Sequence, residues 1–261
     1  MRLWALALAL LAAGCATTGM DVGQGTAEQA VSQQTATSDT QQRAKVHTEL
    51  GSLYLEAERY GVAQDEARTA ISADPNYAPA YNLLALIHMN LRENAAADEE
   101  FQRALKLAPN DPEINNNYGW FLCQTGRPKQ SVPHFMAAIK NPLYTTPAKA
   151  MTALGICYIR QQDDAAAEDF LTKAARVDPA NVEAKYWLAD IYYRKGRYYE
   201  ARQSLNDLAK LMEPNAQSLW LAFRVERKLG DREAEARYAA QLRRKFPGSP
   251  EYQKLMQGQY E

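Results

Sequence analysis

The sequence repeats itself along most of its length. A large residue followed by a small one recurs at Leu50-Gly51, Leu84-Ala85, Tyr118-Gly119, Leu154-Gly155, Leu188-Ala189 and Leu221-Ala222, with spacings of 34, 34, 36, 34 and 33 residues. Twelve residues after each small residue stand Ala63, Ala97, Ser131, Ala167, Ala201 and Ala234. Four further on lie Ala67, Phe101, Phe135, Leu171, Leu205 and Tyr238. Prolines close the units at Pro75, Pro109, Pro142, Pro179, Pro214 and Pro247. A chain with this period has no single central core. Each unit alone buries too little, and only stacking of neighbours gives a continuous apolar interior.

The residue types say what each unit is. A small residue in a first helix lets the second helix of its own unit come close, and the later small residue admits the first helix of the next unit. The residue four positions on is large in every unit but the first, and fills the space that remains. Proline then ends the second helix, because it lacks an N–H and restricts the residue before it. The pattern resembles the tetratricopeptide repeat, two antiparallel helices per unit, which implies an all-α, right-handed superhelix with a concave inner face. The expected units are 44–77, 78–111, 112–147, 148–181, 182–214 and 215–247, with residues 248–261 as a capping helix.

Ahead of the repeats the chain begins MRLWALALALLAAGCATTG: one basic residue, an apolar segment, small residues, then Cys15. This is the order of a signal peptide, over residues 1–14. Its cysteine placement resembles the lipobox of bacterial lipoproteins, although Ala12 stands where Leu, Val or Ile is usual. The resemblance implies acyl chains on Cys15 as the new N-terminus. Each buried CH2 contributes about 0.8 kcal/mol, so several chains make a permanent anchor. Ala16 follows the cysteine in place of an inner-membrane retention aspartate, which points to the periplasmic side of the outer membrane. Residues 16–43 are rich in Thr, Ser, Gln, Gly and Ala. Such a composition reads as a flexible leash with a reach of roughly 30 Å.

A net charge of −1 gives no domain-scale basic excess for nucleic acid. No HExxH, CxxC, Walker loop or GxSxG is present. His47, His88 and His134 are scattered over separate units, the first two where these repeats pack an aromatic, which reads as core filling. Asp98-Glu99-Glu100 reads as a solvated helix face. No catalytic or metal site, no cofactor and no small-molecule substrate is expected, and the chain is expected to be a monomer.

Repeat offsets place Leu55, Asn82, Leu86, Met89, Asn116, Trp120, Tyr186 and Tyr193 on the concave face. Amides there can pair with a peptide backbone while apolar neighbours pocket its side chains, a wall suited to another polypeptide. Asn115 and Asn117 have a second reading, as satisfiers of interhelical backbone groups. Cys123 and Cys157 fall on the first helices of adjacent units, although their offsets within those units differ by two residues. A disulfide between them is expected, and a pair of buried thiols is the alternative.

NNYGWFLC in the third unit, NPLYTTPAKA before the fourth and RRKFPGSPEY near the end resemble the type IV pilus biogenesis lipoproteins, or pilotins, of the PilF/PilW type. The resemblance spans essentially the whole mature chain. It implies an outer-membrane lipoprotein adaptor that binds secretin subunits and promotes their localisation and assembly, and it implies a Cys123–Cys157 bridge like one found in part of that family. A repeat scaffold of another envelope machine, serving outer-membrane protein insertion or peptidoglycan synthesis, is the competing expectation.

Overall fold

The computed structural model describes residues 27–260; the expected signal peptide, Cys15 and the first part of the leash lie outside the described residues. Thirteen α-helices follow one another there. They are α1 (Asp39–Glu56), α2 (Tyr60–Ala73), α3 (Ala78–Asn90), α4 (Asn94–Leu107), α5 (Pro112–Gln124) and α6 (Pro128–Lys140). The rest are α7 (Pro147–Arg160), α8 (Asp164–Val177), α9 (Val182–Arg194), α10 (Tyr198–Ala209), α11 (Ala216–Leu229), α12 (Arg232–Lys245) and α13 (Pro250–Met256). Consecutive helices pair antiparallel, α1 with α2 through α11 with α12, and the odd-numbered helices also touch one another along the stack. This is the tetratricopeptide superhelix. No helix among the described residues is long and apolar enough to cross a membrane.

Each helix boundary has a local cause. Asp74, Ala108, Asn141 and Asp178 cap second helices in extended or near-extended conformations, and each stands directly before one of the repeat prolines. Within each unit the chain turns through one residue in the left-handed region: Glu58, Arg92, Gly126, Gln162, Gly196 and Gly230, with φ between 57° and 80°.

These turn residues form a ruler that does not depend on side-chain size. Each stands seven residues after Gly51, Ala85, Gly119, Gly155 and Ala189, and in the sixth unit it stands seven after Phe223. Ala222, expected in the small residue's place, therefore stands one residue out of step. Phe223 takes the small residue's place because its counterpart on α12, sixteen residues on, is the small Ala239, so large and small have changed sides. Its ring stacks on Trp220 (centroids 5.3 Å apart) and meets Tyr260 (5.5 Å) from the chain's end.

The small residues do what the pattern required. A Cβ built on Gly155 would sit 2.6 Å from Leu171 Cγ in α8, and one on Gly119 would sit 3.1 Å from the Phe135 ring in α6. In the first unit, where Ala67 leaves room, Leu83 from the next unit fills the gap, with Cδ2 2.7 Å from a Cβ on Gly51. Gly155→Val is accordingly expected to lower the unfolding free energy by about 2 kcal/mol, since the helix pair must be prised apart. Chemical denaturation measures it, with Ala153→Val, at a half-buried position of the same helix, as the comparison.

The leash is shorter than its composition implied. Residues 31–33 form a 3-10 turn that docks on the edge of the superhelix, and α1 begins at Asp39, capped by the Ser38 hydroxyl. Val31 N–H donates to Asp111 Oδ2 (2.8 Å), and Ser32 Oγ and Gln33 Nε2 donate to Glu113 (2.7 and 3.2 Å). Asn141 Nδ2 donates to the Glu28 carbonyl (2.7 Å). Ala30 is fully buried, and Val31 packs beside Tyr81 and Ile114. An average over the whole segment hid two small apolar residues that fit a notch beside the α5 N-terminus.

Candidate partner-binding groove

The odd-numbered helices carry the groove wall, and the stretch Asn115-Asn116-Asn117 shows how three adjacent amides divide the work. Asn115 points away from the groove. Its Nδ2 donates to the carbonyls of Pro109 and Asp111, both at 2.9 Å, and its Oδ1 lies 3.0 Å from His134 Nδ1 on α6. It ties the start of α5 to its partner helix. Burial holds the His134 imidazole below its usual pKa, so the neutral ring prevails there.

Asn116 and Asn117 form a ladder across α5 and α3. Asn116 Nδ2 donates to Asn117 Oδ1 (3.2 Å), and Asn117 Nδ2 donates to Asn82 Oδ1 (3.3 Å). Asn116 is only 3% exposed, with an Oδ1 that has no hydrogen-bond partner. Its expected place on the open wall is therefore corrected: it stands behind the wall and orients Asn117, which in turn fixes the Asn82 amide.

Tyr193 is corrected in the same way. Its ring is buried between Tyr198 and the Arg224 guanidinium, which lies 4.2 Å above the ring. Leu55, Leu86 and Met89 are half-buried, each with part of its side chain open. Trp120 lies half-buried against the cluster around Phe135, Leu154 and the two cysteines, with the Arg160 guanidinium 5.5 Å from its ring centre. Tyr186 is half-buried and meets Trp187 edge-on, centroids 5.3 Å apart. Helices α1, α3 and α5, the first helices of three successive units, thus carry Leu55, Asn82, Leu86, Met89 and Trp120, each half-buried. Tyr186 belongs to a second patch on α9, beyond α7.

Cys123 and Cys157 are paired in the structure, with Cα atoms 5.9 Å apart, and both are buried. They join α5 to α7 directly behind Trp120, so the bridge sits beneath the groove wall at the junction of the third and fourth units.

Some polar groups do more than their expected places implied. Neither His47 nor His88 is fully buried, and each ring lies against a glutamate, Glu66 at 2.6 Å and Glu93 at 2.5 Å. Asp98 is more than a solvated charge, since it accepts from the Tyr118 hydroxyl (3.0 Å) and from both terminal nitrogens of Arg127 (3.2 Å). The basic groups of α11 were missed because Glu226 interrupts them in sequence, although Arg224, Arg227 and Lys228 follow helical spacing. Among the described residues no cluster of His, Cys, Asp and Glu is arranged to hold a metal.

Comparison with known proteins agrees with this architecture. Tetratricopeptide repeat models match residues 48–112, 100–132 and 158–222. The chain is 30% identical over 209 residues to the type IV pilus assembly protein PilF of Pseudomonas aeruginosa, covering 80% of this chain and 83% of that one. The crystal structure of PilW, described as a widely conserved type IV pilus biogenesis factor, superposes with a TM-score of 0.76 at 32% identity, over 82% of this chain and 98% of PilW. The Pseudomonas aeruginosa PilF structure gives 0.78 at 28% identity, over 85% and 100% of the two chains. The chain belongs to the PilF/PilW family of type IV pilus biogenesis proteins, as a tetratricopeptide scaffold and not an enzyme.

Proposed function

We propose that the protein is a pilotin: an adaptor anchored through Cys15 to the periplasmic side of the outer membrane, which binds secretin subunits in its groove and promotes their assembly into multimers. The observation that carries this reading is the wall formed by Leu55, Asn82, Leu86, Met89 and Trp120 in a chain of this family. Half-buried apolar side chains flank an amide held in place by its neighbours, the combination that grips an extended or helical segment through both backbone and side chains. The bridge between Cys123 and Cys157 stiffens the wall behind Trp120. A preorganised surface loses less entropy on binding.

The test is secretin multimerisation in cells that carry groove variants. Trp120→Ala and Asn82→Ala are expected to keep the helical circular dichroism signal, because both side chains are partly open. Secretin multimers on a mild-detergent gel are expected to fall roughly tenfold, the loss typical of removing one central anchor. Undiminished multimers in both variants would move the binding surface off this wall. Recovery of another envelope machine, with no secretin, in a pull-down from solubilised envelopes would favour the competing scaffold role.

A further inference from the structure

A cavity of about 530 Å³ opens where α11 meets the end of the chain, lined by Arg224, Arg227, Lys228, Arg232, Gly258 and Tyr260. Among the described residues its charge is poorly compensated. Arg227 and Arg232 share a single carboxylate, Glu235, at 2.7 and 3.0 Å. Glu226 and the nearby Asp231 are engaged by Arg202 from α10. Among the described residues Lys228 has no acidic partner, and Arg224 Nε is buried without a hydrogen-bond acceptor. A buried donor left unpaired is costly, and an incoming acceptor recovers that cost.

Two of the guanidiniums are held flat. Arg224 lies 4.2 Å over the Tyr193 ring, and Arg227 lies 4.1 Å over the Tyr260 ring. Stacking fixes the plane of each; Arg227 already gives Nη1 to Glu235, whereas Arg224 keeps its nitrogens for a bidentate oxyanion. The cavity is also one end of a trough. Arg224 is shared with a second cavity lined also by Tyr186, Asp190, Gln217, Trp220, Glu251 and Lys254, where Asp190 is already paired with Arg194. Tyr186 and Gln217 are shared in turn with a third, apolar one beside Trp187 and Met212. The order along the trough is apolar, mixed in charge, then cationic.

We propose that this trough is a second binding site, one that takes an acidic peptide segment: an apolar residue against Trp187 and Met212, the chain across Tyr186 and Gln217, and carboxylates on Arg224, Arg227, Lys228 and Arg232. It rests on the concave side being the face that binds polypeptide, but not on the partner being a secretin. A peptide fits better than an isolated anion, because the cationic cavity continues into a polar one of mixed charge and then an apolar one.

The test uses purified protein lacking only its signal peptide and lipid. Fluorescence anisotropy compares a labelled peptide of one tryptophan followed by a run of glutamates with its glutamine counterpart. The acidic peptide is expected to bind more tightly, and its affinity to fall steeply with added salt. Arg224→Gln is expected to weaken it roughly tenfold, as loss of a charge-assisted bidentate contact does. Lys228→Gln, at an exposed position that leaves the fold untouched, weakens it several-fold, while Lys106→Gln, an exposed cation on α4 outside both sites, has no effect. Equal affinity for the two peptides, unchanged affinity in Lys228→Gln and Arg224→Gln, or no saturable binding below about 1 mM would overturn the proposal. So would Arg224-dependent binding to anionic phospholipid vesicles without binding to the acidic peptide, which would make the cavity a lipid-headgroup site. Failure here leaves the secretin test in cells unaffected, because that assay reads the opposite end of the groove.

Discussion

Reducing the bridge between Cys123 and Cys157 is expected to lower the unfolding free energy by about 4 kcal/mol, the chain-entropy value for a closed loop of 34 residues. Both cysteines are buried, at 3% and 0% exposure, so a small reductant reaches them only when the junction of α5 and α7 opens. Reduction in native buffer should therefore be slow and should accelerate with sub-denaturing urea. Repeat proteins are stabilised by nearest-neighbour interfaces, which localises the loss. The reduced chain is expected to open first between the third and fourth units, with faster amide exchange in α5 and α7 than in α1 or α9. The measurement is denaturant unfolding with and without reductant, beside mass spectrometry of protein purified from an oxidising compartment. Two alkylatable thiols in unreduced, unfolded protein would show that the bridge is not made. Coincident unfolding curves would show that it is made but stabilises nothing.

The second large effect comes from the opposite end. Arg202→Met is expected to cost about 3 kcal/mol, because it leaves Glu226 without its partner. Glu226 is 5% exposed, and Arg202 reaches it from α10 with two nitrogens, Nε to Oε1 at 3.0 Å and Nη2 to Oε2. The guanidinium is itself about one-third open, which places the figure at the lower end of the range for broken buried pairs. The distinguishing experiment is the double variant. Glu226→Leu on top of Arg202→Met should recover most of the loss, because the penalty belongs to the stranded carboxylate and not to the missing attraction. A double variant as unstable as the single one would assign the effect to lost packing of the arginine stem.

Several features were legible in the sequence for a reason that can be stated. Helix pairing in this fold is a contact between residues a fixed distance apart in one unit, so Gly119 against Phe135 and Gly155 against Leu171 are recorded within one period. The repeat prolines act on the residue directly before them, and their effect is just as local. The sixth unit broke the reading because Ala222 and Phe223 are adjacent, and size alone selected the wrong one. The left-handed turn at Gly230 identifies Phe223, since backbone conformation keeps the register whatever the side chain.

The groove was legible only as a list of positions. Repeat offsets placed Asn82 and Trp120 on the inner face, but they do not say how much of a side chain its neighbours cover. Asn116 and Tyr193 fell on the same face and proved to be buried, one behind an amide ladder and the other under Arg224. The docked segment at residues 28–33 and the cationic cavity at Arg224 and Tyr260 were invisible for a related reason. Each joins parts of the chain that no period relates.

By itself, then, the sequence determined the period, the helix pairs, their close-packed positions and the stops between them, because each depends on residues within one unit or its neighbour. Tertiary structure alone decided which inner-face side chains stay open, where the N-terminal segment docks and which cations remain without a partner. Exposure and unbalanced charge are properties of everything that surrounds a side chain, and the surroundings exist only once the units have stacked.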